Sequence, residues 1–164
     1  MPQHPAGTPA IAELERRTIS YRLHEYEHDP RTHLGFGREG AEKLGISADR
    51  IFKTLLAEAD GRLVVGIVPV SGHLDLKALA RTVGAKKATL ADPAVAEKTT
   101  GYVVGGISPI GQKRGLTTVI DQSADAYDTI LVSGGRRGLD IELAPADLVA
   151  VTNAVLAPIG KPTA

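Results

Sequence analysis

The stretch Ile51-Phe-Lys-Thr-Leu-Leu-Ala-Glu-Ala59, followed by Asp60-Gly61 and then by Leu63-Val-Val-Gly-Ile-Val-Pro-Val70, sets two apolar runs either side of a two-residue turn. Asp-Gly tolerates the positive φ angles that a tight hairpin demands, so the stretch reads as two antiparallel strands, the second one buried. Downstream, Asp75 caps a helix to about Val83 that ends at Gly84, and Lys87 to Leu90 is a short strand. Asp92-Pro93 opens a helix to about Lys98 by pairing a side-chain cap with a first-turn proline. Thr118 to Asp121, Thr129 to Ser133 and Leu139 to Leu143 read as strands, Pro145 opens a last helix to about Thr152, and the chain frays from Pro158. Upstream, residues 1–8 form a tail, Thr8-Pro9 starts a helix to about Arg17, and Tyr21 to Glu27 favours a strand. Arg38 to Leu44 is a short helix closed by Gly45. Strands mostly follow strands in the second half, which gives an α+β domain with a mixed sheet.

The chain has 164 residues, enough to bury a core without staples. It holds no cysteine, which excludes a disulfide scaffold, an enzyme thiolate and any cysteine-ligated metal. Nineteen Lys and Arg balance nineteen Asp and Glu, so a purely charge-driven nucleic-acid or membrane binder is disfavoured. There is no tryptophan and only two phenylalanines, which argues against an aromatic base-stacking sheet. No apolar run is long enough to span a bilayer, and the first residues lack the pattern of a signal peptide, so a cytoplasmic location is expected.

Two motifs tempt. His24-Glu-Tyr-Glu-His28 matches H-E-x-x-H, which binds zinc only when a helix stacks both imidazoles on one face. Asp29-Pro30 cuts any helix short, and in a strand the two rings stand roughly 13 Å apart. Gly106-Ile-Ser-Pro-Ile-Gly111-Gln-Lys113 misses the Walker A pattern, because its lysine falls one residue late and no Ser or Thr follows to hold magnesium.

Three segments remain as candidates. Lys53 interrupts an apolar strand; such a lysine either snorkels to water or offers a cation to an anionic group in a cleft. Gly101 to Gly115 is either a set of tight turns or a backbone that a ligand can approach closely. In Ser133-Gly-Gly-Arg-Arg-Gly-Leu-Asp-Ile-Glu-Leu143, alternation puts Asp140 and Glu142 on one strand face, as a solvated pair, as partners of a lysine such as Lys53, or as holders of a substrate amine. The basic doublets Lys86-Lys87, Lys113-Arg114 and Arg136-Arg137 can together form a phosphate-contacting rim.

In this order, Tyr26-Glu-His-Asp29, Phe36-Gly37, Lys53-Thr-Leu-Leu56, Gly84-Ala-Lys-Lys87, Gly105-Gly-Ile-Ser-Pro109, Gly111-Gln-Lys113, Ser133-Gly-Gly135 and Arg137-Gly-Leu-Asp-Ile-Glu-Leu143 resemble the YbaK family, free-standing relatives of the prolyl-tRNA synthetase editing domain. The resemblance covers roughly residues 8 to 157. It implies one domain over residues 9–160, built on a mostly antiparallel, barrel-like mixed sheet flanked by helices. It also implies an aminoacyl-tRNA deacylase acting in trans, with the closest motif versions in the subgroup that clears cysteinyl-tRNA(Pro) and cysteinyl-tRNA(Cys). On that analogy Lys53, Gly105, Gly106 and Asp140 serve the chemistry: Lys53 contacts the terminal nucleotide, the N–H groups around Gly105 and Gly106 support the carbonyl oxygen, and Asp140 with Tyr26 orients the amine. Phe36 walls the side-chain pocket, and Ile107, Ser108, Ser133 and Gly134 complete the substrate-binding set. The implied route has the cysteine thiol attack its own ester, releasing a thiolactone. No cofactor or metal is implied; the partners are mischarged proline tRNA and, as a recruiter, prolyl-tRNA synthetase, with neither DNA nor membrane. The competing readings are a deacylase for another mischarged tRNA such as alanyl-tRNA(Pro), a non-catalytic tRNA- or synthetase-binding module, and a zinc peptidase.

Overall fold

Asp60 and Gly61 both adopt positive φ, 49° and 83°, so the turn at the centre of the chain twists in the sense its flanking strands require. The computed structural model describes residues 7–162. Around this turn the elements run α1 (Pro9–Arg16), β1 (Arg22–Glu25), α2 (Phe36–Leu44), β2 (Phe52–Ala59), β3 (Arg62–Pro69), β4 (Gly72–Leu74), α3 (Leu76–Thr82), β5 (Ala88–Leu90), α4 (Pro93–Thr100), β6 (Thr117–Asp121), β7 (Ile130–Ser133), β8 (Leu139–Leu143), α5 (Pro145–Thr152), β9 (Val155–Ala157) and β10 (Gly160–Pro162). A 3-10 turn at Gln122–Ala126 joins β6 to β7.

The helix starts follow the caps read from the sequence: Thr8, Asp75 and Asp92 each accept a backbone N–H of the first turn through the side chain. Helix α2 begins earlier than its predicted start at Arg38, at Phe36, with Gly35 as an N-cap that offers no side chain. The tail expected over residues 1–8 lies outside the described residues as far as residue 6. At its end Thr8 is buried, and its hydroxyl donates to Gly134 O at 2.5 Å.

The strands sort into β5-β2-β3-β6-β9, β1-β8-β7 and β10-β4. Pairing is antiparallel except between β3, β6 and β9, so the sheet is mixed and mostly antiparallel as expected. A parallel bridge from Ile51 to Leu131 brings β7 alongside the start of β2 and couples the two larger sheets. Hydrogen bonding does not close these strands into one ring among the described residues.

Alternation along β2 and β3 supplies two cores. Phe52, Leu56, Val65 and Ile67 pack with Ile130, Val132, Ile141 and Leu143 of the second sheet and with Ile11 and Leu14 of α1. Ala57, Val64 and Val68 on the opposite face pack against Ala78 and Leu79 of α3 and against Ile159. The C-terminal end corrects one expectation. Residues 159–162 do not fray: Ile159 is fully buried and β10 pairs with β4.

Candidate active site

Strand β2 is covered on its outer edge only at its two ends. Leu131 N–H donates to Arg50 O at one end, and Ala91 N–H to Leu56 O at the other. Between these anchors no strand pairs with that edge among the described residues. A cavity of about 530 Å³ opens there, bounded by the first turn of α2, the end of β5, the loop at 104–107 and the ends of β7 and β8. This volume suits a small ligand of nucleoside size.

Lys53, Gly105, Asp140, Tyr26, Phe36, Ile107 and Ser133 all line this cavity. Lys53 is half-buried, and its ammonium donates to Gly72 O at 2.9 Å. Burial, and then the nearby Arg38 charge, lowers its pKa. Asp140 sits on β8 opposite His24. No hydrogen bond to its carboxylate is found among the described residues, and burial pushes its pKa up to about 7. The Tyr26 phenol is pushed up to about 12, by burial first and then by the charges of Asp140 and Glu39. Lys53 and Asp140 face one cavity, and no ion pair joins them.

Phe36 is clamped. The Arg137 guanidinium lies over its ring at 4.9 Å, and His28 approaches it at 5.3 Å. A Cβ on Gly105 would stand 2.7 Å from the ring, and Gly105 has φ 89°, so only glycine allows this packing. Buried Glu39 holds the segment before α2: His28 Nδ1 lies 2.7 Å from its carboxylate, and Asp29 N–H donates to it at 2.7 Å. This gives the Tyr26-Glu-His-Asp29 motif a scaffolding role around Phe36.

Gly106, Ser108 and Gly134 do not line the cavity. The Gly106 N–H already donates to Val103 O at 2.8 Å, and a Cβ there would meet the Arg136 backbone at 2.7 Å. Ser108 is fully buried, and its hydroxyl accepts Ile110 N–H. Gly134 N–H donates to Leu139 O while its carbonyl accepts from Thr8. All three hold loops against one another. Glu142 likewise leaves the site; its carboxylate is engaged by Arg50, Thr129 and His24.

The H-E-x-x-H stretch lies on and just after β1, with His24 at Glu142 and His28 at Glu39, so the histidines face different carboxylates. No group of three or more ligating side chains suited to a metal occurs among the described residues. The Gly106–Lys113 stretch is irregular and leads into β6, not into a helix. The basic doublets have separate uses: Arg136 pairs with Glu25 at 3.0 Å, and Arg137 donates to Val104 O beside Phe36.

Sequence reasoning missed Thr54 and Arg38, which also line the cavity. The Thr54 hydroxyl is buried without a hydrogen-bond partner among the described residues. Its signal was its place beside Lys53 on a strand, but nothing in the sequence shows that this strand edge is left open.

The fold and the cavity belong to a chain that its family match assigns to the aminoacyl-tRNA editing domains. The model of the family so described matches residues 38–151, and the chain belongs to that family. It is 39% identical over 153 residues, 93% of the chain and 92% of its counterpart, to EbsC of Enterococcus faecalis, which bears the provisional name Cys-tRNA(Pro)/Cys-tRNA(Cys) deacylase. A 68-residue stretch, 42% of the chain, is 38% identical to 12% of a proline–tRNA ligase of Moorella thermoacetica. The crystal structure of a protein provisionally described as a trans-editing enzyme for prolyl tRNA synthetase superposes with a TM-score of 0.84 over 98% of this chain and 99% of its own, at 24% identity, and so shares the fold.

Proposed function

We propose that the protein is a trans-editing deacylase that clears cysteine from proline tRNA, and from cysteine tRNA as a second substrate, in the cytoplasm. The observation that carries this reading is the convergence of Lys53, Asp140, Tyr26 and Gly105 on one nucleoside-sized cavity in a chain of the editing-domain family. Cysteine and proline are close in volume, so a synthetase pocket discriminates weakly between them and a second site must remove the error.

The aminoacyl ester is already activated, so the site needs position and charge more than a strong catalyst. Lys53 offers the cation for the terminal nucleotide and the ester region. The aminoacyl ammonium group lies toward Asp140 and favours its ionised form, with the Tyr26 phenol beside it. Phe36 and Ile107 form an apolar wall for the side chain. Neither histidine nor cysteine lines the cavity, so no side chain there is suited to form a conventional triad. In the proposed reaction the substrate's own thiol sulfur bonds to the ester carbonyl carbon and the carbonyl–ribose oxygen bond breaks. The thiol proton passes to the departing ribose oxygen, releasing intact tRNA and a cyclic thiolactone. Prolyl-tRNA synthetase fits as the recruiter of a near-neutral protein to its tRNA.

The test is a deacylation panel on one tRNA body. Cysteinyl-tRNA(Pro) is expected to turn over at least about a hundredfold faster than seryl-tRNA(Pro), whose hydroxyl is a far weaker nucleophile. Equal rates would replace the thiol route by an activated water. Preference for alanyl-tRNA(Pro) would move the substrate assignment.

A further inference from the structure

Away from the cavity lies a second concave surface. Lys77 and Arg81 project from one side of α3, at the spacing that stacks side chains on adjacent turns, and Lys86 and Lys87 come from the segment leading into β5. All four are exposed, and none belongs to an ion pair among the described residues. The floor between them is apolar, formed by Leu76, Ala80 and Ala88.

Among the described residues, none of the nearby acids forms an ion pair with the four side chains. Asp60, in the β2–β3 turn, accepts the backbone N–H groups of Lys86 and Lys87 at 2.8 and 3.2 Å, which fixes their backbone while leaving both ammonium groups free to face outward. Asp75 caps α3 through Ala78 N–H and feels Arg81 only at longer range. Glu58 stands opposite Thr89 on the neighbouring strand. In a chain of zero net charge, four cations gathered around one concavity make a local basic patch.

Strand β5 connects this face to the cavity. Lys87 immediately precedes it, while Leu90 and Ala91 at its far end line the cavity. Three strand residues span roughly 10 Å, a nucleotide or two of extended chain. We infer that the Lys77–Arg81–Lys86–Lys87 face binds the sugar–phosphate backbone of the substrate RNA just upstream of the nucleotide held in the cavity. The cations take the phosphates, and the apolar floor lies under a ribose. This rests on the tRNA-editing reading above and adds the surface that holds the RNA body.

The test separates the two claims. A variant carrying Lys77→Gln, Arg81→Gln, Lys86→Gln and Lys87→Gln is compared with wild type, and with a Lys86→Arg/Lys87→Arg protein that keeps the charge. Three readouts are used: binding of uncharged proline tRNA across a salt series, cleavage of cysteinyl-tRNA(Pro), and cleavage of the cysteine ester of adenosine, which carries no backbone. The Gln variant should lose at least about tenfold in tRNA affinity, and the slope of log affinity against log salt should flatten by about 0.7 per lost phosphate contact. Its KM for cysteinyl-tRNA(Pro) should rise in step, while cleavage of the adenosine ester is unchanged and the Arg protein behaves as wild type. Undiminished tRNA affinity and salt slope in the Gln variant would overturn the inference, even with the editing activity intact. A wild type that binds tRNA through this face but cleaves neither ester would refute the activity alone.

Discussion

Asp140 shows most clearly how one residue ties chemistry to stability. It sits at a strand position where alternation alone predicts an outward-facing side chain, yet the 22–25 strand and the cavity wall bury it. Its pKa rises from 3.8 to about 7 through burial alone. Between these values the folded state holds a proton that the unfolded chain has released, so the contribution of Asp140 to stability is fully present below about pH 4 and is lost as pH rises through 7. Asp140→Asn should therefore raise the melting temperature at pH 8 and flatten its decline between pH 5 and 8, with a gain on the order of 4 kcal/mol as the upper bound for a three-unit shift. The same variant should lose most deacylase activity, since a neutral amide no longer attracts the substrate ammonium. Melts at both pH values check this; an Asn variant less stable than wild type at pH 8 would show that the carboxylate is stabilised by its surroundings.

At the scale of elements, β10 is linked to the active site through β4. Gly72 in β4 supplies the carbonyl that holds the Lys53 ammonium, and β10 fixes β4 so closely that a Cβ on Gly72 would collide with Lys161 O. Asp121 anchors the approach to β10, accepting the N–H groups of Ile159 and Gly160 at 3.0 and 2.7 Å. Ending the chain at Pro158 removes a fully buried isoleucine, which stabilises by about 2–3 kcal/mol, and leaves β4 unpaired. The truncated protein should melt roughly 5–10 °C lower. Measured well below that melt, its deacylation rate should also fall, because Lys53 loses a fixed acceptor. Full activity in the folded truncation would separate β10 from the site.

For the whole molecule, the strong local signals carried most of the fold. The Asp60-Gly61 turn, the Thr8, Asp75 and Asp92 caps and the apolar runs of β2 and β3 all act within a few residues, where sequence can show them. Strands β4, β9 and β10 are only three residues long, too short for alternation to register, and they exist because distant segments meet. The site divides in the same way. Lys53 and Asp140 stand out as charges in apolar strands. Glycine and serine in the two Gly-rich loops are ambiguous, because close approach of another backbone and close approach of a ligand ask for the same residue. Gly105 meets Phe36 at the cavity, whereas Gly106 and Gly134 meet protein. Thr54 was invisible because an open strand edge is a property of the assembled sheets. The most direct test of the account is single-turnover deacylation of cysteinyl-tRNA(Pro) by Lys53→Ala beside wild type, with melting curves for both. A folded variant slowed by about a hundredfold or more is the predicted result. A folded variant that matches wild type would remove Lys53, and with it this cavity, from the chemistry.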